Sequence, residues 1–177
     1  MKGLVYNEPG SITWTERPDP KIQADTDIIM RVTTTTICGS DTHIIKGGVP
    51  DTPHGTILGH EGVGVVEEVG SAVGSVKAGD RILATCVTAC GFCRFCTSQL
   101  YGQCLNGGWA LGHLIDGVQA DFARIPFAQN SAYKIPDALS DEQVVFLTDI
   151  LATGYEIGVL LGQVSPGDTI VIVGAGP

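Results

Sequence analysis

Short stretches of alternating apolar and polar residues, each bounded by a polar turn, fill the first 135 residues. That period of two is the signature of strands with one buried face. Lys2–Tyr6 and Ser11–Thr15 read as a hairpin around the turn Glu8-Pro9-Gly10. Asp27–Ile37, Gly62–Val69 and Arg81–Ala84 are further predicted strands, the last preceded by the turn Lys77-Ala78-Gly79-Asp80. Phe122–Ile125 and Ser131–Lys134 follow. Many short strands at even spacing predict a mainly β fold, closed or nearly closed into a barrel. After Pro136 the pattern changes. Ser140 is placed to cap a helix, with Asp141 and Glu142 in its first turn. Ile150, Leu151, Ile157, Leu160 and Leu161 fit a helix over Asp149–Val164, although Gly154 and Gly158 weaken it. Ser165-Pro166-Gly167-Asp168 is a turn, and the β-branched run Thr169–Val173 predicts a strand buried on both faces.

Charge narrows the partners. Nineteen acidic against ten basic side chains give a formal net charge of -9. Nucleic acids and anionic membranes require a positive footprint, so neither is expected as a partner. No apolar run has the length of a membrane span, and the N-terminus lacks a signal-peptide core. A cytoplasmic protein is the expectation, and in a reducing compartment its six cysteines are expected as metal ligands or buried thiols.

The densest chemistry is the stretch CGFCRFCTSQLYGQC. Cys90, Cys93 and Cys96 are each separated by two residues, and Cys104 follows after seven more. Such spacing lets four thiolates converge on one tetrahedral ion, zinc by preference and iron as the lesser alternative. Four thiolates close the coordination sphere, so this site is predicted to be structural. Cys86 lies outside the pattern and reads as a buried thiol.

Three other segments carry isolated metal-ligand types: ICGSDTH with Cys38, GHEGVGVVEEVG with His60 and Glu61, and LTDILATGYE with Asp149. Taken singly, Cys38 reads as packing, the His-Glu pair as surface and Asp149 as a helix cap. Taken together and in order, these segments and the four-cysteine lobe resemble the N-terminal, GroES-like catalytic domain of zinc-dependent medium-chain alcohol dehydrogenases. The resemblance rests on Cys38-Gly39-Ser40-Asp41-x-His43, Gly59-His60-Glu61-Gly62, the lobe, and Asp149-x-x-x-Thr153-Gly154-Tyr155. Pro166-Gly167-Asp168 through Gly176 resembles the family's strand leading into its Rossmann domain.

The resemblance implies a catalytic domain over residues 1–148, with a zinc lobe at about 86–108. Residues 149–177 then form a linking helix and the first strand of a C-terminally truncated nucleotide-binding domain. It implies a catalytic zinc on Cys38, His60 and Asp149, with Glu61 adjacent or exchangeable, and hence two zincs per chain. Three protein ligands leave a fourth position for a small alcohol or carbonyl substrate. Ser40 and His43 are implied as the proton path. Gly174 and Gly176 are the start of an NAD or NADP phosphate loop whose third glycine is not among the 177 residues. The expected function is alcohol dehydrogenase chemistry with weak or absent turnover by this chain alone. The alternative is a non-redox zinc-binding module or weak zinc hydrolase. The apolar C-terminal strand and helix are expected to pair with another chain, giving a homodimer or higher oligomer.

Overall fold

A computed structural model describes residues 1–174. Its elements are β1 (Lys2–Glu8), β2 (Ser11–Glu16), β3 (Ile28–Thr35), α1 (Gly39–Ile45), β4 (Gly62–Val69), β5 (Arg81–Ala84) and β6 (Val87–Thr88). There follow β7 (Gly108–Trp109), β8 (Phe122–Ile125), α2 (Ala128–Ser131), β9 (Ala132–Lys134), α3 (Asp141–Val144) and α4 (Ile150–Thr153). The central sheet runs β8-β3-β4-β5-β9, every neighbouring pair antiparallel. β1 and β2 form the expected hairpin.

The hairpin is stitched onto the segments that lead into β4 and β8 rather than left free. Leu4 N–H donates to Gln119 O at 2.8 Å, and Leu58 N–H donates to Leu4 O at 2.9 Å. Bridges Gly3–Ala120 and Val5–Ile57 reinforce the seam. The result is the nearly closed, mainly β barrel that the strand pattern predicts. Ile28, Met30, Val66, Ile82, Leu111, Val118 and Ile125 fill its interior. Ile28, Met30, Val66, Ile82 and Ile125 are inward positions of alternating strands, and Leu111 and Val118 join them from the connection between β7 and β8.

Two backbone features place the site. β3 carries a bulge, its register shifting between Val32 and Thr34 against β4. Beyond it, Thr35 Oγ1 donates to Glu61 O at 2.8 Å, so the end of β3 lies beside the start of β4. Gly59, with φ of +93°, then turns the chain into β4. A Cβ there would stand 2.5 Å from Gln119 Cγ, so the turn requires glycine.

The C-terminal segment departs from the pattern-based expectation. Ile150–Thr153 is α-helical, but Gly154–Leu161 winds as a π-helix and ends before Val164. None of its residues is buried. Helical geometry draws most of its stability from packing of one face. With two glycines and no packed face, the wider winding is tolerated here. Thr169–Val173 is not a strand, and Val173 is 97% exposed. β-branched residues favour extension, but a strand also requires a neighbour's backbone, and none lies beside this run among the described residues. Among those residues no single helix is long and apolar enough to cross a membrane.

Candidate metal centres

The lobe between β6 and β7 has almost no apolar interior. Its buried cluster is Ala89 with Cys90, Cys93, Cys96 and Cys104, flanked by Phe95 and Phe127. The four sulfurs lie within 4.8 Å of one another, with Cys90 Sγ and Cys96 Sγ 3.9 Å apart. A tetrahedron with zinc–sulfur bonds of about 2.3 Å has edges of about 3.8 Å, so the cage fits that ion. The surroundings already favour thiolate at one corner. Backbone N–H groups of Cys96 and Leu105 lower Cys93 to about 6. Burial, followed by the neighbouring thiols, pushes Cys96 up to about 12. Binding an ion must therefore expel protons from the cage.

The second centre is assembled from three distant parts of the chain. Cys38 is the N-cap of α1, placed there by the end of β3. His60 stands just before β4, and Asp149 just before α4. Cys38 Sγ lies 3.8 Å from Asp149 Oδ2, and His60 Nε2 lies 3.2 Å from the same oxygen. All three ligand atoms fall within 4.8 Å of one another. A tetrahedral ion with bonds of about 2.0–2.3 Å requires ligand separations of about 3.3–3.8 Å. The two separations at Asp149 Oδ2 are close to that requirement, and the trio supplies three of the four tetrahedral positions.

A second layer of side chains holds the trio. Asp41 is 1% exposed. Its Oδ2 accepts from Cys38 N–H at 2.9 Å and from Gln119 Nε2 at 3.1 Å, while Oδ1 lies 3.7 Å from His60 Nδ1. At 3.7 Å the two atoms are not hydrogen-bonded and neither has another partner, so Asp41 acts on His60 through its charge. Burial works against charge on His60, but Asp149, Asp41 and Cys38 outweigh it and raise His60 to about 9. The bond to His60, with a further one from Thr153, holds the Asp149 carboxyl below its usual range against burial. The pair thus carries a proton that a metal ion must displace. Cys86 is pushed up to about 12, by burial first and then by the charge of Asp149. It remains a thiol, and its backbone N–H donates to Thr148 O at 2.9 Å.

The remaining expected residues fall as follows. Ser40 Oγ is 3.6 Å from Cys38 Sγ. His43 is exposed in the last turn of α1. Glu61 is buried outside the trio, with Oε2 accepting from Thr36 Oγ1 at 2.5 Å and Oε1 without a partner. Gly174 sits in an exposed bend with φ of +97°, and Gly176 lies outside the described residues. Asp41 and Gln119 were not among the expected site residues. Asp41 had a signal, since its spacing from Cys38 is that of a capping box. Gln119 had none.

Known proteins share this fold. Residues 24–137 match the alcohol dehydrogenase GroES-like domain. The chain belongs to the zinc-type alcohol dehydrogenase family. An uncharacterized zinc-type alcohol dehydrogenase-like protein of Bacillus subtilis is 38% identical across 100% of this chain and 50% of its own length. The apo form of zinc dependent alcohol dehydrogenase 2 from Streptococcus pneumonia superposes with a TM-score of 0.88 at 50% identity, covering 94% of this chain and 47% of that one. An alcohol dehydrogenase of Escherichia coli CFT073 complexed with NADH gives a TM-score of 0.73 at 31% identity, over 83% of this chain and 42% of that one. The chain spans about half the length of the curated relatives it matches. A pocket of about 270 Å³ opens beside the second centre, lined in part by Cys86, Thr148, Thr153 and Tyr133.

Proposed function

We propose that this chain is the metal-binding catalytic half of an alcohol dehydrogenase, interconverting a small alcohol and its aldehyde or ketone with a nicotinamide as hydride acceptor. The observation that carries the reading is the convergence of Cys38, His60 and Asp149 within 4.8 Å, three ligands where a tetrahedral ion takes four. Zinc in such a site supplies Lewis acidity, lowering the pKa of an alcohol and polarising a carbonyl. Cys38, His60 and Asp149 hold it, and two negative ligands with one neutral one balance its charge. Cys90, Cys93, Cys96 and Cys104 hold a second, structural ion. Ser40, beside Cys38, accepts the hydroxyl proton as it releases its own toward His43. His43 is three residues further along α1, hence on the same side of the helix, and passes that proton to solvent. Glu61 stands in reserve as an exchangeable ligand.

In this reading residues 1–148 form the catalytic unit, and 149–177 lead toward a nucleotide-binding unit. Gly174 and Gly176 open its NAD or NADP phosphate loop. The relative complexed with NADH supports a nicotinamide cofactor. Self-association buries the exposed Leu151, Ile157, Leu160, Leu161 and Ile170–Val173.

Metal content tests the two sites. The wild-type chain is expected to hold two zincs, and Cys38→Ala and Cys93→Ala one each. A single zinc that survives Cys38→Ala would remove the catalytic centre from the reading. Turnover is tested separately with short alcohols and NAD⁺ or NADP⁺, following the absorbance of reduced nicotinamide. These 177 residues alone are expected to fall far below the usual enzyme range of about 1–10³ s⁻¹. A rate within that range would show that the cofactor needs nothing further.

A further inference from the structure

Asp149 offers two oxygens, and the structure treats them differently. Oδ2 faces the trio, 3.2 Å from His60 Nε2 and 3.8 Å from Cys38 Sγ. Oδ1 accepts a hydrogen bond from Thr153 Oγ1. Thr153 also donates its backbone N–H to Asp149 O at 2.8 Å, so one residue grips the aspartate by main chain and side chain together. The preceding residue is anchored as well, through Cys86 N–H to Thr148 O. A carboxylate has a choice that a thiolate lacks, because it can bind a cation through one oxygen or through both. Two-oxygen binding would fill the corner that catalysis needs open.

We propose that Thr153 is a positioning residue that occupies Oδ1 of Asp149, restricts the carboxylate to one metal-facing oxygen, and so keeps the fourth coordination position vacant. The proposal rests on the zinc reading above. Its chemistry is specific to an aspartate ligand. Rotation of the carboxylate toward two-oxygen binding would carry Oδ1 away from Thr153 Oγ1 and break that bond. A methyl group in place of the hydroxyl has the same shape but offers no proton. A serine keeps the donor and loses only a methyl group from a residue that is itself exposed.

The test loads Co²⁺ into the trio, with zinc retained in the four-cysteine cage, and compares wild type, Thr153→Val and Thr153→Ser. Two readouts are taken: the visible d–d absorption of the cobalt, and the affinity for azide as a probe of the vacant position. Four-coordinate cobalt absorbs more strongly than five-coordinate cobalt. Thr153→Val is expected to show weaker absorption and azide binding reduced about tenfold or more, within the range seen for outer-shell partners of metal ligands. Thr153→Ser is expected to match wild type in both. A melting temperature and far-ultraviolet circular dichroism equal to wild type confirm that the barrel of each variant is folded. A Thr153→Val spectrum and azide affinity equal to wild type would overturn the proposal. Equal loss in the serine and valine variants would overturn it too, since the donor would then not be the cause. A wild-type chain with no cobalt bands at all would instead overturn the zinc reading beneath it.

Discussion

Cys93→Ala is expected to dissolve the lobe between Cys86 and Gly108 while leaving the barrel standing. Four sulfurs are nearly all the interior this segment has, since its buried cluster adds only Ala89. Phe92, Leu100, Tyr101 and Leu105 are all exposed, so no apolar packing replaces the ion. Structural zinc in small domains is worth about 10–16 kcal/mol of folding free energy. One ligand in four then represents about 3 kcal/mol, or a loss of roughly a hundredfold in affinity. Because the ordered lobe and the bound ion exist only together, that loss reads out as local unfolding. The barrel core of Ile28, Met30, Val66, Ile82 and Ile125 lies outside the lobe and persists. Limited proteolysis checks this, with rapid cleavage expected near Arg94 and Tyr101 only in the variant. Hydrogen exchange should show lost protection confined to residues 86–108. A lobe that stays protected without its metal would mean that packing, not coordination, holds it.

The same contrast explains what could be read from the residues and what could not. The lobe is local: its four ligands fall within fifteen residues, so spacing alone declares it. The strands were legible because alternation reports one buried face, and Gly62–Val69 and Arg81–Ala84 form with the bounds their pattern predicts. The trio is different in kind. Cys38 and Asp149 are 111 positions apart, and nothing in either segment says that they meet. Only the ordered resemblance put them together. Gln119 was harder still, because a buried amide looks like a surface residue until the barrel encloses it, whereas Asp41 at least kept its capping-box spacing from Cys38. The C-terminal run failed for the opposite reason. Ile170–Val173 has the composition of a central strand, but the ladder that makes a strand belongs to its neighbours.

Gly64→Ala is expected to cost about 3 kcal/mol and to take the trio's metal with it. Gly64 sits in β4 opposite Val32, at the bulge that shifts the register of β3. A Cβ there would stand 2.1 Å from Arg31 O and 2.7 Å from Met30 Cγ. The first of these is backbone in the middle of the sheet, so no side-chain rotation relieves it. Overpacking of this kind costs about 1–3 kcal/mol and occasionally more, and a main-chain clash belongs at the upper end. For a chain of this size that corresponds to a fall in melting temperature of about 6–12 °C. The functional consequence follows from what the two strands carry. β3 delivers Cys38 and β4 begins after His60 and Glu61, and the bond from Thr35 Oγ1 to Glu61 O ties their ends together. Parting the strands at Gly64 moves Cys38 away from His60 but leaves the four-cysteine cage untouched. Thermal denaturation with metal analysis on the surviving folded fraction tests both halves of the argument. Zinc is expected to drop from two per chain to one, with the remaining ion in the lobe. A folded variant that melts within about 2 °C of wild type and retains two zincs would mean that β3 and β4 can separate at the bulge without disturbing the centre they frame.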